Sequence, residues 1–305
     1  MFEYPSYLEL LRSGEYINRI DSLYTMMENC TLCPRNCKRK REDGQKVICK
    51  AGEDLKISSA FAHYGEEPEI TGMFGSGTVF LTHCNLRCSF CQNFDISHQG
   101  NGELTSIDNL AEIMLQLQNS GCHNINFVTP THFSPHIVDA LFKAAQNGLC
   151  IPVVWNCSGY ESIEVIKLLD GIVDIYMPDI KFMEEELSKR YCKAPDYPRV
   201  VKEVLIEMNR QVGPLETDER GIARRGLLVR HLLMPGCVTN TKQVLDFISD
   251  KLSKDTYVNI MNQYRPIPNT KRFSEIDRRV SSEEYRTAIM YAMQLGMHRS
   301  FDTFQ

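Results

Sequence analysis

From Thr78 onward the chain alternates short, almost wholly apolar runs with longer stretches whose apolar residues recur every three or four positions. The first pattern reads as strand buried on both faces, the second as helix covering a sheet. The strands are TVFLTH (78–83), NINFVTP (124–130), IPVVWN (151–156), GIVDIYMPDIK (171–181), GLLVRHLLMPG (226–236) and TYVNIMNQY (256–264). Helical spacing covers 109–118, 135–146, 161–169, 183–191, 197–211 and 241–252, with a last helix over 282–296. Strands alternating with helices imply parallel βαβ units and right-handed crossovers. Six such units fall short of the eight of a closed barrel. The expected fold is α/β, an open or partial (β/α)6 barrel with its chemistry at the carboxyl ends of the strands. Residues 1–77 lie outside this pattern as an N-terminal extension: an amphipathic helix over 15–28, a cysteine-rich stretch ending at Cys49, and a β-like piece at 55–72. The barrel and a C-terminal helix take up 78–305.

Composition narrows the class. Of the 305 residues, 43% are hydrophobic and 24% charged, ordinary for a globular protein. No apolar run is long enough to cross a membrane, and the first residues lack the basic-then-apolar order of a signal peptide. A cytoplasmic protein is expected. The net charge of −5 argues against a broad nucleic-acid surface. One basic run stands out against it: Arg35, Lys38, Arg39, Lys40 and Arg41.

Twelve cysteines are many for a reducing compartment, and seven of them fall before residue 92. Clustering there reads as metal ligation rather than disulfides. Cys84, Cys88 and Cys91 form a CxxxCxxC loop directly after the first barrel strand. Zinc wants a fourth ligand, and only Asn93, Asp95 and His98 follow. A four-iron cluster on three thiolates instead leaves one iron open.

This loop, with aromatic Phe90 before its last cysteine, resembles the radical S-adenosylmethionine (SAM) superfamily. CNLRCSFCQN, INFVTPTH, WNCSGY, MPDIK, LVRHLLMPG and NQYRP resemble, more narrowly, the pyruvate formate-lyase activating enzyme branch, in a subgroup with an N-terminal extension. The resemblance implies a partial barrel of the radical SAM type. It also implies a [4Fe–4S] cluster, S-adenosylmethionine as second cofactor, and reductive cleavage to a 5′-deoxyadenosyl radical that abstracts hydrogen.

Around the barrel the resemblance implies cofactor contacts from Phe90, Asn156, Ser158, Asp179 and Lys181. Physically, a lysine at a strand end suits a carboxylate, and an aspartate can fix that lysine or a ribose hydroxyl. Thr129, Thr131 and His132 stand where most of the superfamily has an acidic triplet for the methionine ammonium. Carbonyls and hydroxyls supply the same acceptors, and His132 reads equally as a turn histidine. Arg230 and His231 are neighbours on a strand, so one faces inward and the other toward the helices. Trp155 reads as core.

Cys30, Cys33, Cys37 and Cys49 supply a second, closed set of four thiolates, suited to zinc or an auxiliary iron–sulfur cluster. The basic run beside them reads either as a solvated loop or as a docking site for an acidic electron donor, a flavodoxin or ferredoxin. Two kinds of radical enzyme fit: an activase or modifying enzyme with a protein or peptide partner, and an enzyme of small metabolites. The alternative from another class is a zinc-stabilised nucleic-acid or protein binding module without radical chemistry.

Overall fold

The structure, a computed structural model, describes residues 4–41 and 47–299. Its barrel strands are β2 (Ser76–Leu81), β4 (Ile125–Val128), β5 (Val153–Cys157), β6 (Ile175–Pro178), β8 (Ala223–Leu232) and β9 (Tyr257–Met261). They pair in parallel in that order, one expected unit after another. The sheet does not close. Beyond β2 lie β1 (Lys56–His63), antiparallel to it, and two-residue β3 (Glu103–Leu104), while β7 (Glu216–Thr217) pairs with the start of β8. The sheet therefore begins at Lys56, within the segment expected to be extension.

Every residue of β5 and β6 is buried, the consequence of helices on one face and barrel interior on the other. Those helices are α5 (Ile107–Asn119), α6 (Ser134–Gln146), α7 (Ile163–Leu168), α8 (Glu185–Cys192), α9 (Tyr197–Val212), α10 (Val238–Lys251) and α11 (Ser282–Gln294); α3 (Pro68–Thr71) and α4 (Phe94–Ser97) are single turns. Local sequence sets several ends. The Ser106 hydroxyl accepts the Asn109 amide to start α5, and Ser281 with Glu284 forms a capping box on α11. Trp155 is 1% exposed, a core residue as expected.

The N-terminal helices α1 (Tyr7–Ser13) and α2 (Glu15–Glu28) pack on α6 and share the barrel's core. Tyr16 meets Phe142, with ring centroids 5.3 Å apart. The buried Asp174 carboxylate, at the amino-terminal end of β6, accepts the Ser6 amide at 2.8 Å, the Ser6 hydroxyl at 2.7 Å and the Val153 amide at 3.0 Å. The first residues of the extension are thus pinned to the end of the sheet opposite the carboxyl ends.

Candidate active site

The carboxyl ends of β2, β4, β5, β6 and β8 surround a cavity of about 420 Å3. β2 runs into the cysteine loop, and Cys84, Cys88 and Cys91 all line that cavity. The loop is held from outside. Asn85, fully buried, donates through Nδ2 to the Tyr160 carbonyl at 2.6 Å, and the Ser89 amide reaches the Tyr191 carbonyl at 2.8 Å. Phe90 packs edge-on against Phe182. Two residues inside or beside the loop, His83 and Arg87, adopt left-handed backbone conformations with φ of 67° and 60°. Such turns aim amides at sulfur: the Leu86 amide lies 3.4 Å from Cys84 Sγ, and the Asn93 amide donates to Cys91.

All twelve cysteines are free. Burial pushes the Cys84 thiol up to about 12 and raises Cys91; Cys88 is raised first by the Cys192 thiol, 3.4 Å away, and then by burial. Thiols so placed stay neutral until a bound cation makes thiolates of them. Among the described residues no three ligating side chains are drawn together as around a single ion. Three thiols lining one cavity match the ligand number that leaves one iron of a four-iron cluster open.

Facing the thiols, Lys181 Nζ lies 2.5 Å from Asp179 Oδ2. Burial works against the lysine's charge, but Asp179 and then Cys88 outweigh it and raise its pKa. The Tyr197 hydroxyl is 2.9 Å from the Ser158 carbonyl, 3.0 Å from that of Asp179 and 3.0 Å from the Lys181 amide, so one phenol ties two strand ends together. Gly159 makes this approach possible. Its φ is +72°, and a Cβ there would stand 2.5 Å from the Asp179 carbonyl. Thr129, also left-handed at φ 61°, Asn156 and Ser158 complete this wall. Arg230 lines the cavity too, with its guanidinium already paired: Nε meets Glu67 at 2.8 Å, and Nη2 meets Glu67 at 2.7 Å and Glu66.

Comparison with known proteins gives the same region a family. A model described as the radical SAM superfamily matches residues 78–211. An uncharacterised protein of Methanocaldococcus jannaschii, MJ0674, is 31% identical over 97% of this chain and 83% of its own length. A second from that organism, MJ0808, is 25% identical over 54% of this chain and 52% of its own. The chain belongs to the radical SAM superfamily. Membership implies an enzyme with a [4Fe–4S] cluster and S-adenosylmethionine as cofactors, and reductive cleavage of the latter. Among the described residues no helix is long and apolar enough to cross a membrane.

Not every residue expected at the radical SAM cofactors is at the cavity. Thr131 turns inward and donates its hydroxyl to Glu161 Oε1 at 2.7 Å. His132 is buried with Nε2 2.7 Å from the Thr82 carbonyl, and burial pushes it down to about 3, leaving a neutral turn histidine. Of the strand pair, Arg230 faces the cavity, while His231 faces the helices between the Ile180 carbonyl (2.6 Å) and the Thr241 hydroxyl (2.8 Å) on α10. These three side chains are therefore withdrawn as direct cofactor contacts. Thr131, His132 Nε2 and both ring nitrogens of His231 already have protein partners.

The basic run is corrected as well. Arg41 is buried and Arg35 half-buried, and both guanidiniums bond inward, leaving Lys38, Arg39 and Lys40 exposed. Of the second cysteine set, Cys30, Cys33 and Cys49 are buried and Cys37 half-buried. Sequence reasoning missed Glu66, Glu67, Tyr197 and Cys192. A strand-end position after β1 was the only available signal for the two glutamates.

Proposed function

We propose that Cys84, Cys88 and Cys91 hold the [4Fe–4S] cluster, and that S-adenosylmethionine binds beside it. The substrate is a protein or peptide segment presented at the open mouth, as for the pyruvate formate-lyase activating enzymes. The observation carrying this reading is that three thiols and the Asp179–Lys181 pair line one cavity at the strand ends. When bound, the cluster supplies the electron that splits S-adenosylmethionine into methionine and a 5′-deoxyadenosyl radical, which takes hydrogen from the substrate.

The chain's own residues position and shield. Lys181, oriented by Asp179, offsets thiolate charge and offers a partner to the methionine carboxylate. Asn156 and Ser158 offer partners to ribose hydroxyls. Thr129 offers acceptors to the ammonium where the Gly-Gly-Glu triplet is missing. Phe90 walls the loop from water.

A cavity of about 420 Å3 is near the small end of ligand sites, which run from roughly 300 to 1,000 Å3. Cluster and cofactor together use most of it. That favours a substrate reaching in from the unclosed side over an enclosed metabolite. The exposed Lys38, Arg39 and Lys40 suit the acidic face of a flavodoxin or ferredoxin as electron donor.

Anaerobic reconstitution followed by chromatography of the products tests the reading. The wild type is expected to release 5′-deoxyadenosine and methionine under dithionite, and Cys88→Ala to release none. Equal product from Cys88→Ala rejects it. Zinc without iron or sulfide in the wild type would hand the case to the binding module.

A further inference from the structure

Outside the barrel, Cys30, Cys33, Cys37 and Cys49 repeat the construction of the cluster loop. None is in a disulfide, and Cys33 and Cys49 each lie within electrostatic reach of the other three. The Arg35 amide donates to the Cys33 sulfur and the Ala51 amide to that of Cys49, each two residues ahead. Leu86 and Asn93 stand in the same relation to Cys84 and Cys91. The Asn36 amide closes on the Cys33 carbonyl at 3.0 Å and the Lys38 amide on that of Cys30 at 3.0 Å.

Backbone strain marks both places. Among the described residues seven that are not glycine have positive φ: Asn36, Lys38, Lys50, His83, Arg87, Thr129 and Lys193. All but Thr129 directly adjoin a cysteine. Strain of this kind persists only where surroundings or function impose it. A neutral thiol accepts hydrogen bonds weakly, so tight turns that aim amides at sulfur serve a thiolate.

The set is also wired to the first site. Arg35 donates from Nε to the Asn85 carbonyl at 2.9 Å and from Nη2 to those of Leu86 and Cys192, both at 3.1 Å; Nη1 meets the Lys193 carbonyl. One guanidinium thus clamps the stretch between Cys84 and Cys88 to the end of α8. Arg41 donates twice to Cys30 Sγ at 3.3 Å and once to the His132 carbonyl at 2.5 Å, in the turn that follows Thr129. The Arg41 guanidinium on Cys30 would also offset part of the double negative charge of a tetrathiolate centre.

We infer that Cys30, Cys33, Cys37 and Cys49 form a second, tetrathiolate metal centre, and that it sets the shape of the cofactor loop through Arg35 and Arg41. The centre is one zinc ion or an auxiliary iron–sulfur cluster. The sulfurs are not at the spacing of a bound ion, so binding draws them closer. The metal half stands alone, while the wiring half rests on the reading of Cys84, Cys88 and Cys91 given above.

The test silences the first site with Cys84→Ser, Cys88→Ser and Cys91→Ser together. The variant is then loaded anaerobically with zinc alone or with ferrous iron and sulfide. It is expected to keep about one zinc, or about four irons with sulfide, per chain, and to lose them when Cys33→Ser is added. No metal under either condition overturns the centre. Should the triple variant misfold, alkylation of the metal-loaded wild type decides. Cys30, Cys33, Cys37 and Cys49 are expected to label only after chelation, and equal labelling before and after overturns the centre.

For the wiring, Arg35→Met is expected to keep the second metal and to bind S-adenosylmethionine about tenfold more weakly, as loss of bonds to a charged donor implies. Its cluster spectrum should also be altered. Unchanged affinity and spectrum overturn the coupling. A wild type that takes no iron on Cys84, Cys88 and Cys91 would sink the proposed function and leave the triple variant's metal content readable.

Discussion

Glu161 lies behind the cavity wall, 1% exposed. Its Oε1 accepts the Thr131 hydroxyl at 2.7 Å, while Oε2 has no hydrogen-bond partner among the described residues. Burial pushes its carboxyl from 4.5 up to about 7, with the Thr131 hydroxyl offsetting part of the rise. The sign of the pH dependence follows. Below 4.5 the carboxyl is protonated folded or unfolded, and its contribution to stability is fully present. As pH rises from there, the unfolded chain gives up the proton and the folded chain holds it, so stability falls until about pH 7 and then levels. At about 1.4 kcal/mol per tenfold, the gap amounts to about 3 kcal/mol. Glu161→Gln keeps an acceptor for Thr131 and cannot ionise. Urea unfolding of the cluster-free protein from about pH 5 to about pH 8 measures this directly. Wild type is expected to lose about 2.5 kcal/mol relative to Glu161→Gln across that range, part of the gap having gone below pH 5. Parallel curves for the two proteins would refute the buried, late-titrating carboxyl.

Two further outcomes follow from charge placement. Arg230→Met leaves Glu66 and Glu67, whose side chains are 8% and 4% exposed, without their cation, and should cost about 3–5 kcal/mol in denaturant unfolding. Adding Glu66→Gln and Glu67→Gln should recover most of that loss, and a silent Arg230→Met would contradict the pairing. Reversing Lys38, Arg39 and Lys40 to glutamate should slow cluster reduction by flavodoxin or ferredoxin about tenfold at low salt and leave dithionite reduction unchanged. Equal slowing with both reductants counts against a docking role.

The six parallel strands were legible because burial on both faces leaves little but apolar residues, and the helices because burial on one face leaves a stripe. β1 is an outer strand of mixed exposure, with Phe61 45% exposed, so its pattern did not announce pairing with β2. The cysteine loop was legible for a different reason: thiols at fixed spacing after a strand have few other uses. The polar residues around it were not equally so. A histidine or threonine that satisfies an inner partner has the same letter as one that faces a ligand. Thr131, His132 and His231 were therefore not separable from Thr129 and Arg230. Arg35 and Arg41 sit in a run that reads as solvated charge, and nothing in a run of basic residues says that two guanidiniums turn inward onto carbonyls and a sulfur. Glu67, 163 residues from Arg230, could be found only by folding.

The strained positions connect these failures to the chemistry. A left-handed non-glycine residue costs on the order of 1–3 kcal/mol. His83 directly precedes Cys84 and Arg87 directly precedes Cys88. The cost is tolerable because the loop is over-determined from outside: Asn85 on Tyr160, Ser89 on Tyr191, Arg35 on Asn85 and Leu86. Remove those anchors and the loop can relax toward ordinary backbone, turning its amides away from sulfur. Strain and anchoring therefore belong to one device, which keeps the three cysteines of the loop on the cavity wall. Each anchor comes from a different part of the chain, which is why a short motif alone does not make the site.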